Sequence, residues 1–259
     1  MTAETCPASR ALGQRVVSYD QRGSGRSTAP TDGRYDLAAQ VTDLEAVRMS
    51  LGIPKIDLLG ESWGGAVASA YTATYPTRVS ALVLVGAVPL DVSQYLQGQK
   101  LFKMRVAALQ QKGLIPTPLP GDAPDSCMAG FSAVLPTYLS DPTVHPDMSA
   151  GTCTTSITRA AYDAFIRDAS VPELARTLRR HSGPTLVVAG DHDVFGPGWM
   201  TPNLEMLSGS RVNHYIVKNA GHLVLSEHRE SVLARISTFR GKAMSKREPS
   251  VQPINHHRI

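Results

Sequence analysis

The sequence lacks any apolar run approaching the roughly 18 residues that a membrane-spanning helix requires. Its opening, MTAETCPASR, also lacks the basic-then-apolar order of a signal peptide. Neither a membrane protein nor a membrane partner is expected, and the expected location is the cytoplasm, or outside the cell if an N-terminal segment is missing. Cysteine is scarce. Cys6, Cys127 and Cys153 show neither CxxC spacing nor neighbouring histidines, so no metal or redox site and no other cofactor is expected. They read as buried or idle thiols, although Cys127 and Cys153 share a loop-rich stretch and would be able to pair in an oxidising compartment. Basic clusters are absent from the body of the chain. The net charge is +4, but Lys242, Lys246, Arg247 and Arg258 against Glu248 place +3 of it beyond residue 240. A nucleic-acid partner is therefore not expected.

What is present is an alternation. Apolar, β-branched runs recur as RVVSYD (15–20), KIDLLG (55–60), SALVLVGAV (80–88), PTLVVAG (184–190) and RVNHYIV (211–217), which read as buried strands. Between the first two, Leu37, Val41, Leu44, Val47 and Leu51 fall on one helical face, with Asp36 placed to cap the start and Gly52 to end it. After the second, GGAVASAYTATYP suits a helix packed closely on a sheet. Strands alternating with helices predict a mostly parallel sheet flanked by helices, in an α/β fold. From about 91 to 180 helical stretches alternate with segments too rich in proline and glycine for sheet, as a helical lid insertion would. The expected organisation is thus a core of 1–90 and 181–240, a lid of 91–180, and a disordered basic tail of 241–259, in which His256 and His257 are solvated.

Ser62 lies in Gly60-Glu61-Ser62-Trp63-Gly64, a GxSxG pentapeptide between an apolar strand and an alanine-rich helix. A serine hydroxyl is a poor nucleophile in water, and a tight strand-to-helix turn presents it to a base while glycines keep neighbouring side chains clear. The Trp63 backbone N–H is placed to meet a developing oxyanion. His222, in Asn219-Ala220-Gly221-His222, follows a strand and precedes the last helix, as a general base would. His192 and His214 lack that context. An acid is expected after PTLVVAG, where Asp191 and Asp193 compete. The order serine, aspartate, histidine, each after a strand, is one of the chain orders in which such a constellation occurs.

With these residues, DQRGSGRS (20–27) and the stretch YPTRVSALVLVGAV, residues 14 to 240 resemble an α/β-hydrolase, and more narrowly the proline iminopeptidase-like peptidases. Gln21, Trp63, Gly64 and Gly65 carry the narrower resemblance, while Glu61 stands where those enzymes usually have glycine. The family's G-x-x-D-x-x-x-P pattern points to Asp193, with Pro197 after it, and leaves Asp191 as a turn residue. The resemblance implies a small peptide or ester substrate: an aminopeptidase that releases an N-terminal residue, or a small-ester esterase, with a catalytically impaired fragment as the reading from another class. In the peptidases the lid supplies acids that hold the substrate amine, for which Asp122, Asp125, Asp141, Asp147 and Asp163 are candidates. The family's earlier strand, ending in an HGG-type oxyanion loop, has no counterpart in this sequence. An N-terminally incomplete hydrolase, with a missing segment or subunit, is the expectation, the other being a sheet that closes without that strand.

Overall fold

The computed structural model describes residues 12–119, 127–144, 146, 155–209 and 211–245. Four strands form one sheet in the order of the chain: β1 (Ile56–Glu61), β2 (Val79–Val85), β3 (Pro184–Gly190) and β4 (Arg211–Val217). Every neighbouring pair is parallel. Each parallel step needs a crossover on a face of the sheet, and the helices supply both faces.

The first described helix, α1 (Leu37–Ser50), starts where Asp36 accepts a hydrogen bond from the Ala39 amide and stops at Gly52, whose φ of 66° no side-chain-bearing residue adopts easily. Helix α2 (Trp63–Thr74) follows β1 after a single residue, and its alanines allow it to lie close against the sheet. The lid region contains α3 (Val92–Gln111), α4 (Cys127–Tyr138), α5 (Thr155–Arg167) and α6 (Val171–Leu178). Helix α7 (Pro197–Met206) follows β3. The stretch after β4 breaks at His228 into α8 (Val224–Glu227) and α9 (Arg229–Ser245), where one helix was expected.

Strand β2 shows why the core sits where it does. Leu82 and Leu84 join the cluster of α1, α2, α6 and α7, whereas Ala81, Val83 and Val85 join the cluster built on Val232, Leu233, Ile236 and Phe239 of α9. This is the two-residue alternation of a strand buried on both faces. Each buried leucine or valine of that kind contributes about 1.5–3 kcal/mol relative to exposure. β1 and β4 are the edges, and Leu59 in the middle of β1 is 44% exposed.

RVVSYD is not a strand: residues 15–20 pair with none of the four strands, and Arg15 and Ser18 are exposed. A β-branched run becomes a strand only where a neighbouring edge completes its ladder, and no strand among the described residues lies beside it. The closing helix runs to Ser245, past the expected boundary at 240. The remaining tail, with His256 and His257, lies outside the described residues. Cys127 is disulfide-bonded, and Cys6 and Cys153 lie outside the described residues. No helix among those residues is long and apolar enough to cross a membrane.

Candidate functional site

Ser62 is the single residue between β1 and α2, held at φ 50° and ψ −119°. Positive φ in a residue with a side chain costs energy and persists only where the surroundings fix it. Here the Ser62 amide donates to the Val85 carbonyl at 3.0 Å, and the Ser62 carbonyl accepts from Gly65 and Val88 at 2.9 and 3.0 Å. The turn also requires bare backbone, since a Cβ on Gly60 would collide with the Gly64 carbonyl. The result aims the Ser62 hydroxyl away from the sheet. Trp63 opens α2, so its backbone N–H belongs to the first turn, where helical amides have no acceptor within the helix.

Asp193 and His222 reach the same point from the loops after β3 and β4. His222 Nε2 is 2.9 Å from Ser62 Oγ, and His222 Nδ1 is 3.0 and 3.2 Å from the two Asp193 oxygens. The histidine side chain is 1% exposed and the aspartate 5%. Asp193 is fixed in turn by the Phe195 amide, which donates to Oδ1 at 2.9 Å. Gly86, itself at φ 50°, leaves room for the ring, because a Cβ there would stand 3.2 Å from His222 Nδ1. Three side chains from three strand ends therefore form one hydrogen-bonded line, with His222 able to accept a proton from one neighbour while the other orients it.

The competing aspartate has a different environment. Asp191 Oδ1 accepts from the Ala220 amide at 3.3 Å and lies 2.8 Å from His192 Nδ1, with Lys218 Nζ 3.5 Å from Oδ2. It joins the two loops rather than facing Ser62. His192 is half exposed, and His214 lies on the exposed side of edge strand β4. Of the lid aspartates, Asp141 is an exposed turn residue bonded to Thr143, while Asp163 is half-buried in α5, near enough to raise the Tyr95 phenol by its charge, after burial as the main cause. Asp122, Asp125 and Asp147 lie outside the described residues.

Sequence reasoning missed the walls. Phe195 stacks on Trp199 at 3.9 Å between ring centroids, both stand edge-on to His222 at 4.7 and 5.7 Å, and Tyr138 of the lid lies 5.6 Å away. It also missed Glu227, whose carboxylate accepts from the Ser140 amide and hydroxyl and from the Gly221 amide, tying the lid to the loop that bears the histidine. The His222 amide donates to the Tyr138 carbonyl at 2.6 Å across the same seam. The contacts across the seam join residues more than 80 positions apart, and the only sequence signal was an acid five residues past the histidine.

On the other side of Ser62, Trp63 donates through Nε1 to Gln40 Oε1 at 3.2 Å, and its ring meets Tyr162 and Phe165 of α5 edge-on. A cavity of about 190 Å³ opens there, lined by Gln21, Ser24, Tyr35, Gln40, Trp63 and Tyr162 among others. Arg22 also borders it, but its guanidinium is committed to both Asp43 oxygens and to the Arg34 and Ala39 carbonyls. The lining of the cavity is mostly apolar, with no free charge from Arg22.

Comparison with known proteins adds the lineage. The family model described as alpha/beta hydrolase fold matches residues 4–229. A 2-hydroxy-6-oxononadienedioate/2-hydroxy-6-oxononatrienedioate hydrolase of Klebsiella pneumoniae subsp. pneumoniae is 29% identical over 245 residues, 89% of this chain and 78% of that protein. A proline iminopeptidase of Lactiplantibacillus plantarum is 41% identical, but over 78 residues, 29% of this chain and 27% of that protein. The solved structure of proline iminopeptidase from Mycobacterium smegmatis superposes with a TM-score of 0.60 at 20% identity, covering 89% of this chain and 80% of that one.

Proposed function

Because the chain belongs to the α/β-hydrolase family, we propose that it is a serine hydrolase that cleaves an acyl bond through Ser62, His222 and Asp193. The observation that carries the reading is the continuous line from Ser62 Oγ through His222 to Asp193, at 2.9 and 3.0 Å. In this reading His222 takes the serine proton as Ser62 attacks the carbonyl, and returns it to the leaving group. Asp193 holds the ring in the required tautomer, and water then releases the acyl group by the same path. The Trp63 backbone N–H is one oxyanion donor. The test is labelling with a fluorophosphonate, which modifies only an activated serine. Wild type should label and Ser62→Ala should not, and a folded wild type that stays unlabelled would remove the enzyme reading in favour of an impaired fragment.

The finer reading is an aminopeptidase of the proline iminopeptidase type. Its support is the local likeness to those enzymes and Asp163, a half-buried lid carboxylate near Tyr95 that would suit a free substrate amine. A second reading, hydrolysis of a substrate without an amine such as a small ester, draws on the Klebsiella relative, whose likeness extends over most of the chain. Paired aminoacyl amides separate them: the free-amine form should react much faster than its acetylated twin if the peptidase reading holds, and equally if the other does.

A further inference from the structure

Asn203 has no place in the reaction described so far. It lies on α7, is 1% exposed, and its amide nitrogen donates twice, to the Ala87 carbonyl at 2.8 Å and to the Trp199 carbonyl at 2.7 Å. Both partners can only accept, which fixes the orientation of the amide. Its Oδ1 is then fully buried, with no hydrogen-bond partner among the described residues. An unmade bond of that kind costs about as much as two neutral hydrogen bonds return. Asn203 therefore adds little net stability, and what it supplies is the position of the two carbonyls.

The first carbonyl sits at a crossing. β2 ends at Val85, and its register with β3 ends there too, so Ala87 lies beyond the ladder. Backbone groups on either side of Ala87 hold the nucleophile: the Val85 carbonyl accepts from the Ser62 amide, and the Val88 amide donates to the Ser62 carbonyl, both at 3.0 Å. Gly86 lies against His222, where an added Cβ would stand 3.0 Å from the His222 carbonyl oxygen and 3.2 Å from Nδ1. Ala87 itself packs on the start of α2, since a Cβ on Gly65 would overlap the Ala87 Cβ. The second carbonyl belongs to Trp199, whose ring stands edge-on to His222 at 5.7 Å. One amide thus links the segment that holds Ser62 to the aromatic wall beside His222.

We infer that Asn203 is a positioning residue that fixes segment 86–88, and through it the separation of Ser62 and His222. The inference rests on the serine-hydrolase reading. A residue of similar size without the donor, such as leucine, exchanges the unpaired Oδ1 for an unpaired Ala87 carbonyl, so stability changes little. Segment 86–88 is then free to shift, and the Val88 amide carries the Ser62 carbonyl with it. Proton transfer from Ser62 Oγ to His222 Nε2 depends on their 2.9 Å separation, and a displacement of about 1 Å lowers such a rate about 100-fold. The loss falls on the reacting step, because the displaced groups are those between which the proton moves.

The experiment is the hydrolysis of 4-nitrophenyl acetate by wild type, Asn203→Leu and Asn203→Gln, after fluorophosphonate labelling of wild type. Asn203→Ala, judged by the same limits, stands in should the leucine variant not fold. Asn203→Leu should lower kcat about 10- to 100-fold and leave KM within about three-fold of wild type, with a melting temperature within a few degrees. Asn203→Gln, which keeps the donor, should recover most of the lost kcat. A folded leucine variant with unchanged kcat, or a loss confined to KM, overturns the inference. So does a glutamine variant as slow as the leucine one, because packing rather than the donor would then set the rate. An unlabelled wild type would instead defeat the serine-hydrolase reading, which is a separate result.

Discussion

The two flanks of Ser62 are built to different standards. On one flank β2, β3 and β4 pair continuously, the loops after β3 and β4 are joined by Asp191 with Ala220, and Glu227 ties the β4 loop to the lid through Gly221 and Ser140. Ser62, His222 and Asp193 each have a further hydrogen bond there that fixes them. On the other flank β1 has no further strand beside it among the described residues. The segment from 15 to 27 is held mainly by side chains, with Arg22 on Asp43 and Asp20 folding back on the Arg26 amide. The lesson is that one fold can enclose the partners of Ser62 on one flank and leave the other flank open. Backbone ladders support the hydrogen-bonded line of Ser62, His222 and Asp193, whereas the opposite flank is formed by a loop with side-chain ties.

Substitutions test this division, and the largest effect belongs to the enclosed flank. His222→Ala should lower the rate of ester cleavage about a million-fold and Asp193→Asn about 10⁴-fold. Asp191→Asn, which keeps shape but not charge, should change it less than about ten-fold and so separate the two aspartates kinetically. Comparable losses for the two would mean that the relay runs through the wrong acid here.

Stability should follow the same contrast. Leu84→Ala, in the middle of the paired sheet and fully buried, is expected to cost about 2–5 kcal/mol in a denaturant melt. Leu59→Ala, on the open edge, should cost less than about 1 kcal/mol. If Leu59 proves as costly as Leu84, the β1 edge is covered in solution and the flanks are less different than described. A similarly small effect, about 1 kcal/mol, is expected from Arg22→Ala, because its partner Asp43 is partly solvated. Its diagnostic value is kinetic: it should leave serine labelling intact if the 20–27 loop is independent of the relay.

Much of this architecture was readable from the chain. Four of five apolar runs became the strands expected of them: β2 and β3 are buried on both faces, and β1 and β4 complete their ladders at the edges. Ser62, Asp193 and His222 each follow such a strand, so chain order was enough to bring them together as one candidate site. RVVSYD failed because strand formation depends on a neighbour as well as on propensity, and no local pattern records the neighbour. Phe195, Trp199 and Tyr138 were invisible as a group because aromatic residues look alike whether they face a core or a histidine. Glu227 escaped notice because its partner Ser140 is 87 positions away.

The chain has two tryptophans, and both belong to the neighbourhood of Ser62. Trp199 is 3% exposed and stands edge-on to His222, while Trp63 borders the cavity on the opposite flank. Tryptophan emission, excited at wavelengths where tyrosine does not absorb, therefore has no background from elsewhere in the fold. A quencher that reaches Trp63 through the cavity reads one flank, and emission that changes as His222 gains a proton reads the other. With either tryptophan replaced by phenylalanine, the remaining one would serve as an optical probe of its own side, without any attached dye.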